Sequence, residues 1–143
     1  MKATDKKIVL EYLKGNRLMT LGTVSRGKPW GTTVFFAYTN NIEILFYSRI
    51  DTKHAKHIAK SSSVSVVVNQ DHGTAGQVKG MQIVGTARLV SEKHFKKHYA
   101  IYRKRFPWAD DFRKDHRLYI VAPTEIHYID QKRYGHFFRV RLK

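Results

Sequence analysis

Ile8, Val9, Tyr12 and Leu13 recur at helical spacing behind Thr4 or Asp5, either of which suits an N-cap, and Gly15-Asn16 supplies a stop. That pattern predicts a short amphipathic helix over residues 4–14. From Leu18 the texture changes to β-branched and aromatic runs at 18–24, 30–38 and 42–48, parted by Arg26-Gly27-Lys28-Pro29 and by Asn40-Asn41. These read as a three-stranded meander. Thr52–Lys60 reads as a helix, followed by a strand at Val64–Asn69 with Val64, Val66 and Val68 on one face. The glycine-bearing stretch Asp71–Gly80 has few apolar residues and reads as an exposed loop. After it Met81, Ile83, Ala87 and Leu89 alternate with Gln82, Thr86 and Arg88, a half-buried strand in which Gly85 interrupts neither face.

A second helix begins near Ser91 as N-cap and places Phe95, Tyr99, Tyr102 and Phe106 on one stripe, until Pro107 ends it. Residues 118–122, 124–130 and 136–142 read as three more strands. The last sets Phe138, Val140 and Leu142 on one side and Arg139 and Arg141 on the other. Strands outnumber helices, and strict strand–helix alternation is missing. A mainly β (α+β) antiparallel barrel is therefore favoured over a parallel α/β sheet. A length of 143 residues suits one domain spanning 1–143, with no repeat and no linker.

With 42% hydrophobic and 13% aromatic residues the chain is too apolar for disorder. Lys and Arg number 27 against 11 for Asp and Glu, and the resulting +16 predicts attraction to a phosphate-bearing partner or ligand. The absence of cysteine excludes disulfides, thiolate zinc sites and cysteine nucleophiles. No apolar run reaches the ~18 residues of a membrane span, and Glu11 breaks Ile8-Val9-Leu10 too early for a signal segment. The expectation is a soluble cytoplasmic protein with no membrane partner.

Tyr47 to Lys56 is the most suggestive stretch: a strand ends in hydroxyls and runs through a basic turn into a helix. A helix start offers unpaired N–H groups and partial positive charge, so hydroxyl and ammonium neighbours complete a phosphate cradle. The competing account is that Asp51 or Thr52 merely caps the helix and the lysines are solvated. His94 and His98 stand four apart, but no glutamate accompanies them and Lys93, Lys96 and Lys97 would repel a cation. No metal site is expected there, nor at His54 and His57. Gly-x-Ser-x-Gly, Gly-x-Gly-x-x-Gly and phosphate-loop patterns are missing, which leaves hydrolase and dinucleotide motifs unsupported. Basic residues interleaved with Tyr99, Tyr102, Phe106 and Trp108 would suit a nucleic-acid strand. Their single helical stripe is better spent in a core.

Taken in order, several segments resemble the pyridoxamine 5′-phosphate oxidase-like family of FMN-binding split barrels over residues 15–91. They are Leu21-Gly22-Thr23-Val24 with Gly27-Lys28-Pro29-Trp30, Val34-Phe35-Phe36, Phe46-Tyr47-Ser48 with Thr52-Lys53, and Gln82-Ile83-Val84-Gly85-Thr86-Ala87. Tyr102-Arg103-Lys104-Arg105-Phe106-Pro107 and Glu125-Ile126-His127-Tyr128-Ile129-Asp130 resemble its YhbP-like branch. The resemblance implies a six-stranded antiparallel Greek-key split barrel that forms a homodimer with FMN in grooves between the subunits. Thr32, Thr33 and Val34 would then run beside the flavin ring, mostly through backbone groups. Ser48, Thr52 and Lys53 would hold the phosphate, His54 would stand where the family often has a second basic residue, and Gln82 would reach the ring or ribityl chain. Tyr134-Gly135-His136 of the second subunit would close the pocket.

The chain also departs from the family's oxidases. The arginine and lysine that flank the strand reading Thr32 to Ala37 are missing, as is the C-terminal Trp and Arg pattern for pyridoxal-type substrates. Flavin redox chemistry on another small molecule is therefore expected, rather than pyridoxamine phosphate oxidation. A flavin- or deazaflavin-binding module without turnover and a basic nucleic-acid-binding barrel are the alternatives.

Overall fold

A computed structural model of the chain describes residues 2–71, 74–136 and 139–143. Arg26 and Gly27, with φ of 51° and 75°, form the left-handed turn that folds β1 (Leu18–Ser25) onto β2 (Lys28–Tyr38). β3 (Ile44–Arg49) completes the meander, and α2 (Lys53–Lys60) carries the chain across to β4 (Ser63–Asn69), which pairs with β1. β5 (Lys79–Leu89) and β6 (His116–Asp130) follow. The antiparallel order β3-β2-β1-β4-β5-β6 closes through a β3–β6 pairing, giving the expected six-stranded Greek-key barrel. A seventh short strand, β7 (Arg139–Arg141), adds to the edge of β6.

Alternation along the strands fills the barrel. Met19, Leu21, Val64, Val66, Val68, Met81, Ile83 and Ala87 point inward, as their spacing predicts, whereas Leu89 at the strand's end is 51% exposed. Helix α1 (Ala3–Lys14) covers the end where β4 leaves and β5 enters, with Val9, Tyr12 and Leu13 in the core and the Tyr12 hydroxyl donating to the Val68 and Lys79 carbonyls at 3.1 and 3.3 Å. It starts earlier than expected: Lys2 stands at the cap without a side-chain bond, and Asp5 falls in the first turn, where its charge suits the helix dipole. At the other end α2 inserts Ala55 and Ile58. Outside the barrel, α3 (Glu92–Arg105) and a 3₁₀ turn at Pro107–Phe112 lay Tyr99, Tyr102, Phe106 and Ala109 over Ala37, Leu45, Tyr47, Leu118 and Ile120.

The C-terminal third corrects the sequence reading. The strands expected at 118–122 and 124–130 are one strand, because Pro123 sits at a bulge instead of a break. Thr124 is the extra residue, and its hydroxyl donates to the Val84 carbonyl at 3.1 Å. Across from it Gly85 keeps the alternation of β5, and a Cβ there would collide with the Ala122 carbonyl. A short helix α4 (Gln131–Tyr134) follows β6, and of the strand expected over 136–142 the described residues show Arg139–Arg141 as β7, with His136 in a turn. Phe138 and the side chain of Arg139 lie outside the described residues, as do His72 and Gly73 of the expected loop.

Candidate functional site

The barrel is split between two of its strands. β2 pairs with β1 along Lys28–Phe35 but meets β3 only at Phe36, Ala37 and Tyr38. Continuing that register would set Val34 opposite Ser48 and Thr32 opposite Ile50, yet those pairs do not form, although the other edge of β3 stays paired with β6 from Ile44 to Arg49. One edge of β2 therefore stays unpaired among the described residues, facing the turn from β3 into α2.

The backbone pattern decides which groups line that edge. Phe36 donates its N–H to the Arg17 carbonyl at 3.0 Å, on the β1 side. Backbone groups alternate sides along a strand, so those of Thr32 and Val34 are also spent on β1, while Gly31, Thr33 and the Phe35 N–H face the open edge, the Phe35 C=O being taken up in the Phe36–Phe46 pairing. Side chains divide the other way: Thr32 and Val34 are half-buried on the inner face, and Thr33 is exposed on the outer one.

Across the split, Thr52 caps α2, accepting from the Ala55 N–H at 3.2 Å while its hydroxyl donates to the Arg49 carbonyl at 3.0 Å. The Lys53 and His54 amides fall before the first intrahelical bond and point out of the helix start. Ser48 Oγ lies 2.7 Å from His54 Nε2 and 3.3 Å from Thr52 Oγ1, so three side chains from strand end, cap and first turn converge. Ser48 and His54 are both buried. Burial, and secondarily the neighbouring His57, hold the His54 imidazole below its ordinary pKa of 6.5, so the group favours its neutral form until an anion arrives. Lys53 Nζ sits 4.1 Å from the centre of the Trp30 ring, a cation–π contact that ties the helix start to β2. Arg49 is already committed, to Asp51 at 2.8 Å and Asp115 at 3.6 Å.

The side chains of Ser48, Thr52 and His54 thus converge, Lys53 extends from the same helix start over Trp30, and Thr32–Val34 lie on the strand across the split. These groups fit a phosphate monoester: two free amides, an ammonium and an imidazole, with the Ser48 and Thr52 hydroxyls turning toward it from the Arg49 carbonyl they donate to in the free chain, and the one nearby carboxylate engaged by Arg49. Gln82 is not part of the cluster. Its row across the sheet runs Thr33, Thr20, Val67, Gln82, so three strand spacings of ~4.8 Å separate it from β2 on the outer face. Tyr134 is held near α1, its hydroxyl 3.4 Å from Asp5, at the far end of the barrel. His94 and His98 have ring centres 6.0 Å apart, and no group of three metal-ligating side chains occurs among the described residues. Trp30 and the Thr23–His57 contact at 3.0 Å escaped the sequence reading. The only available signal was that His57 repeats the face of Lys53 one helical turn later.

A six-stranded split barrel with a phosphate-suited corner defines a class, and the chain belongs to it. The pyridoxamine 5′-phosphate oxidase family model matches residues 6–130. Among curated proteins, a UPF0306 protein of Campylobacter jejuni is 25% identical over 114 residues, covering 79% of this chain and 80% of that protein. Among solved structures, a haem-binding protein of Mycobacterium smegmatis superposes with a TM-score of 0.82 at 11% identity, over 100% of this chain and 59% of the other. An FAD-binding protein of Mesorhizobium loti gives 0.68 at 18% identity, over 88% and 90%. The fold is common to all of these, while the ligands named for the last two differ. No described helix is long and apolar enough to cross a membrane.

Proposed function

We propose that this chain is an FMN-binding flavoprotein that works as a homodimer and carries out redox chemistry on a small molecule. The observation that carries the reading is the unpaired edge of β2 facing the Ser48–His54 cluster, in a chain of the pyridoxamine 5′-phosphate oxidase family. Ser48, Thr52, Lys53 and the amides of Lys53 and His54 hold the phosphate. His54 gains charge as the dianion approaches. The backbone of Thr33 and Phe35 gives the flavin ring hydrogen-bonding partners along the open edge. When bound, the isoalloxazine supplies the hydride and electron transfer.

Leu18 and Phe35, neighbours across β1 and β2, expose apolar side chains on the outer sheet face, at 49% and 42%. A second copy covers this face. Gln82 lies on it and serves the ring only through the dimer, as do Tyr134, Gly135 and His136 from the partner.

Purified protein should be yellow, bind FMN with quenching of flavin fluorescence, and sediment as a dimer. Thr52→Ala combined with Lys53→Ala should weaken FMN binding about tenfold or more, because charge-assisted hydrogen bonds contribute ~1.5–3 kcal/mol each. Unchanged affinity in that variant overturns the phosphate placement, and absence of flavin binding overturns the reading. Anaerobic reduction of the bound flavin by a nicotinamide donor is expected; a flavin that stays oxidised leaves a binding module without turnover.

A further inference from the structure

Next to the phosphate corner lies a second concentration of positive charge. α2 presents Lys53, Lys56, His57 and Lys60, at the i, i+3, i+4, i+7 spacing of one helical face, toward the β1–β2 hairpin. The hairpin contributes Arg26 and Lys28, and together they line a cleft of about 600 Å³. None of these five lysines and arginines makes an ion pair among the described residues. The single acid on the rim, Asp51, is chelated by Arg49 at 2.9 and 2.8 Å.

Such crowding of like charge is unfavourable in the free protein and is reversed by a polyanion. Two of the six groups are also held in position. Lys53 rests on Trp30, and His57 Nδ1 bonds the buried Thr23 hydroxyl at 3.0 Å, which leaves Nε2 as the ring's remaining polar atom. Through Pro29 the cleft adjoins a less polar hollow of about 560 Å³ lined by Gly22, Trp30, Gly31 and Val84, where an aromatic base finds an apolar wall.

We propose that this cleft binds the phosphate of a nucleotide moiety, with its base in the adjoining hollow. The proposal rests on the flavin reading in assigning the first phosphate to Ser48 and Thr52, and goes beyond it by giving Arg26, Lys56, His57 and Lys60 a ligand. Two sources share this chemistry: the nucleotide half of a dinucleotide flavin, or that of a separate nicotinamide dinucleotide donor. A nucleic-acid strand is disfavoured because cleft and hollow together accommodate one nucleotide.

The test is calorimetric titration of wild-type protein with FMN, FAD and ADP, and of FMN-loaded protein with ADP-ribose. The variant is Arg26→Gln/Lys56→Gln/Lys60→Gln, and Lys93→Gln/Lys96→Gln/Lys97→Gln on α3 serves as the charge-matched control. ADP should bind wild type and lose at least about tenfold in the cleft variant, with the control unchanged and FMN affinity retained. FAD binding tighter than FMN, with the preference lost in the cleft variant, assigns the cleft to the flavin. Equal FMN and FAD affinities, with ADP-ribose binding to the FMN-loaded protein, assign it to the donor. The proposal is overturned by absence of ADP binding, by equal losses in both variants, or by a short oligonucleotide binding more tightly than ADP. ADP binding without FMN binding overturns the flavin reading and leaves the cleft standing.

Discussion

Helices α2 and α3 are both strongly basic and both carry a pair of histidines, yet they meet the barrel differently. α2 starts at the open edge of β2, buries His54, Ala55 and Ile58 in the barrel end, and turns its lysines into a cleft. α3 lies on the outside of the barrel on an aromatic footing of Tyr99, Tyr102 and Phe106. Its two arginines are committed: Arg103 pairs with Asp110 at 2.8 Å, and Arg105 reaches carbonyl groups of Leu13 and Phe36 at 2.9 and 3.1 Å. Positive charge by itself marks neither helix as functional. What distinguishes α2 is that its start faces the unpaired edge of β2.

That contrast can be broken most severely at the footing of α3. Tyr102 is 1% exposed and touches the rings of Tyr47, Phe106 and Trp108. Tyr102→Ala should cost ~3–5 kcal/mol of stability by chemical denaturation, with FMN affinity of the folded fraction unchanged. A large loss of affinity in folded protein would show that the two helices are not separable.

His54 gives an intermediate effect and a sign. Its pKa is depressed in the folded chain, so the unfolded chain takes up the proton first as pH falls below about 6.5. The flavin-free protein should therefore lose stability between pH 7 and pH 5, and His54→Gln should reduce that slope. Some slope should persist, because burial depresses His98 too. FMN binding should flatten the wild-type slope; melting temperatures across pH would reveal an unchanged slope and so remove His54 from the phosphate site. The smallest effect belongs to the exposed lysines of α3: Lys93→Gln with Lys96→Gln should shift stability within ~0.5 kcal/mol.

Much of the barrel was legible because it is written in short-range alternation. Val64, Val66 and Val68 point inward simply because side chains alternate along a strand, and the Phe95–Phe106 stripe announces α3. Pro123 misled, since a proline among apolar residues reads as a stop, and only the partner strand shows that Thr124 is looped out as a bulge. The site was half legible. Ser48, Thr52, Lys53 and His54 lie within seven residues, so the stretch could be singled out as a possible phosphate cradle, while the part given to each residue came from the family resemblance. The split depends on where β3 parts from β2 while its other edge stays on β6, a pairing between residues some 70 positions apart that local pattern does not encode. For the same reason neither Trp30 beneath Lys53 nor Arg26 opposite Lys60 could be seen along the chain.

Arg105 has a consequence of its own. One half-buried guanidinium accepts the role of a rivet, bonding the carbonyls of Leu13, Lys14 and Asn16 at the frayed end of α1 and that of Phe36 in β2, from the last residue of α3. Three segments far apart along the chain thus share one fastening. Peeling away the first helix would strand that cation beside aromatic rings with nothing to bond, so the amino-terminal segment and the outer helix should come loose together or not at all.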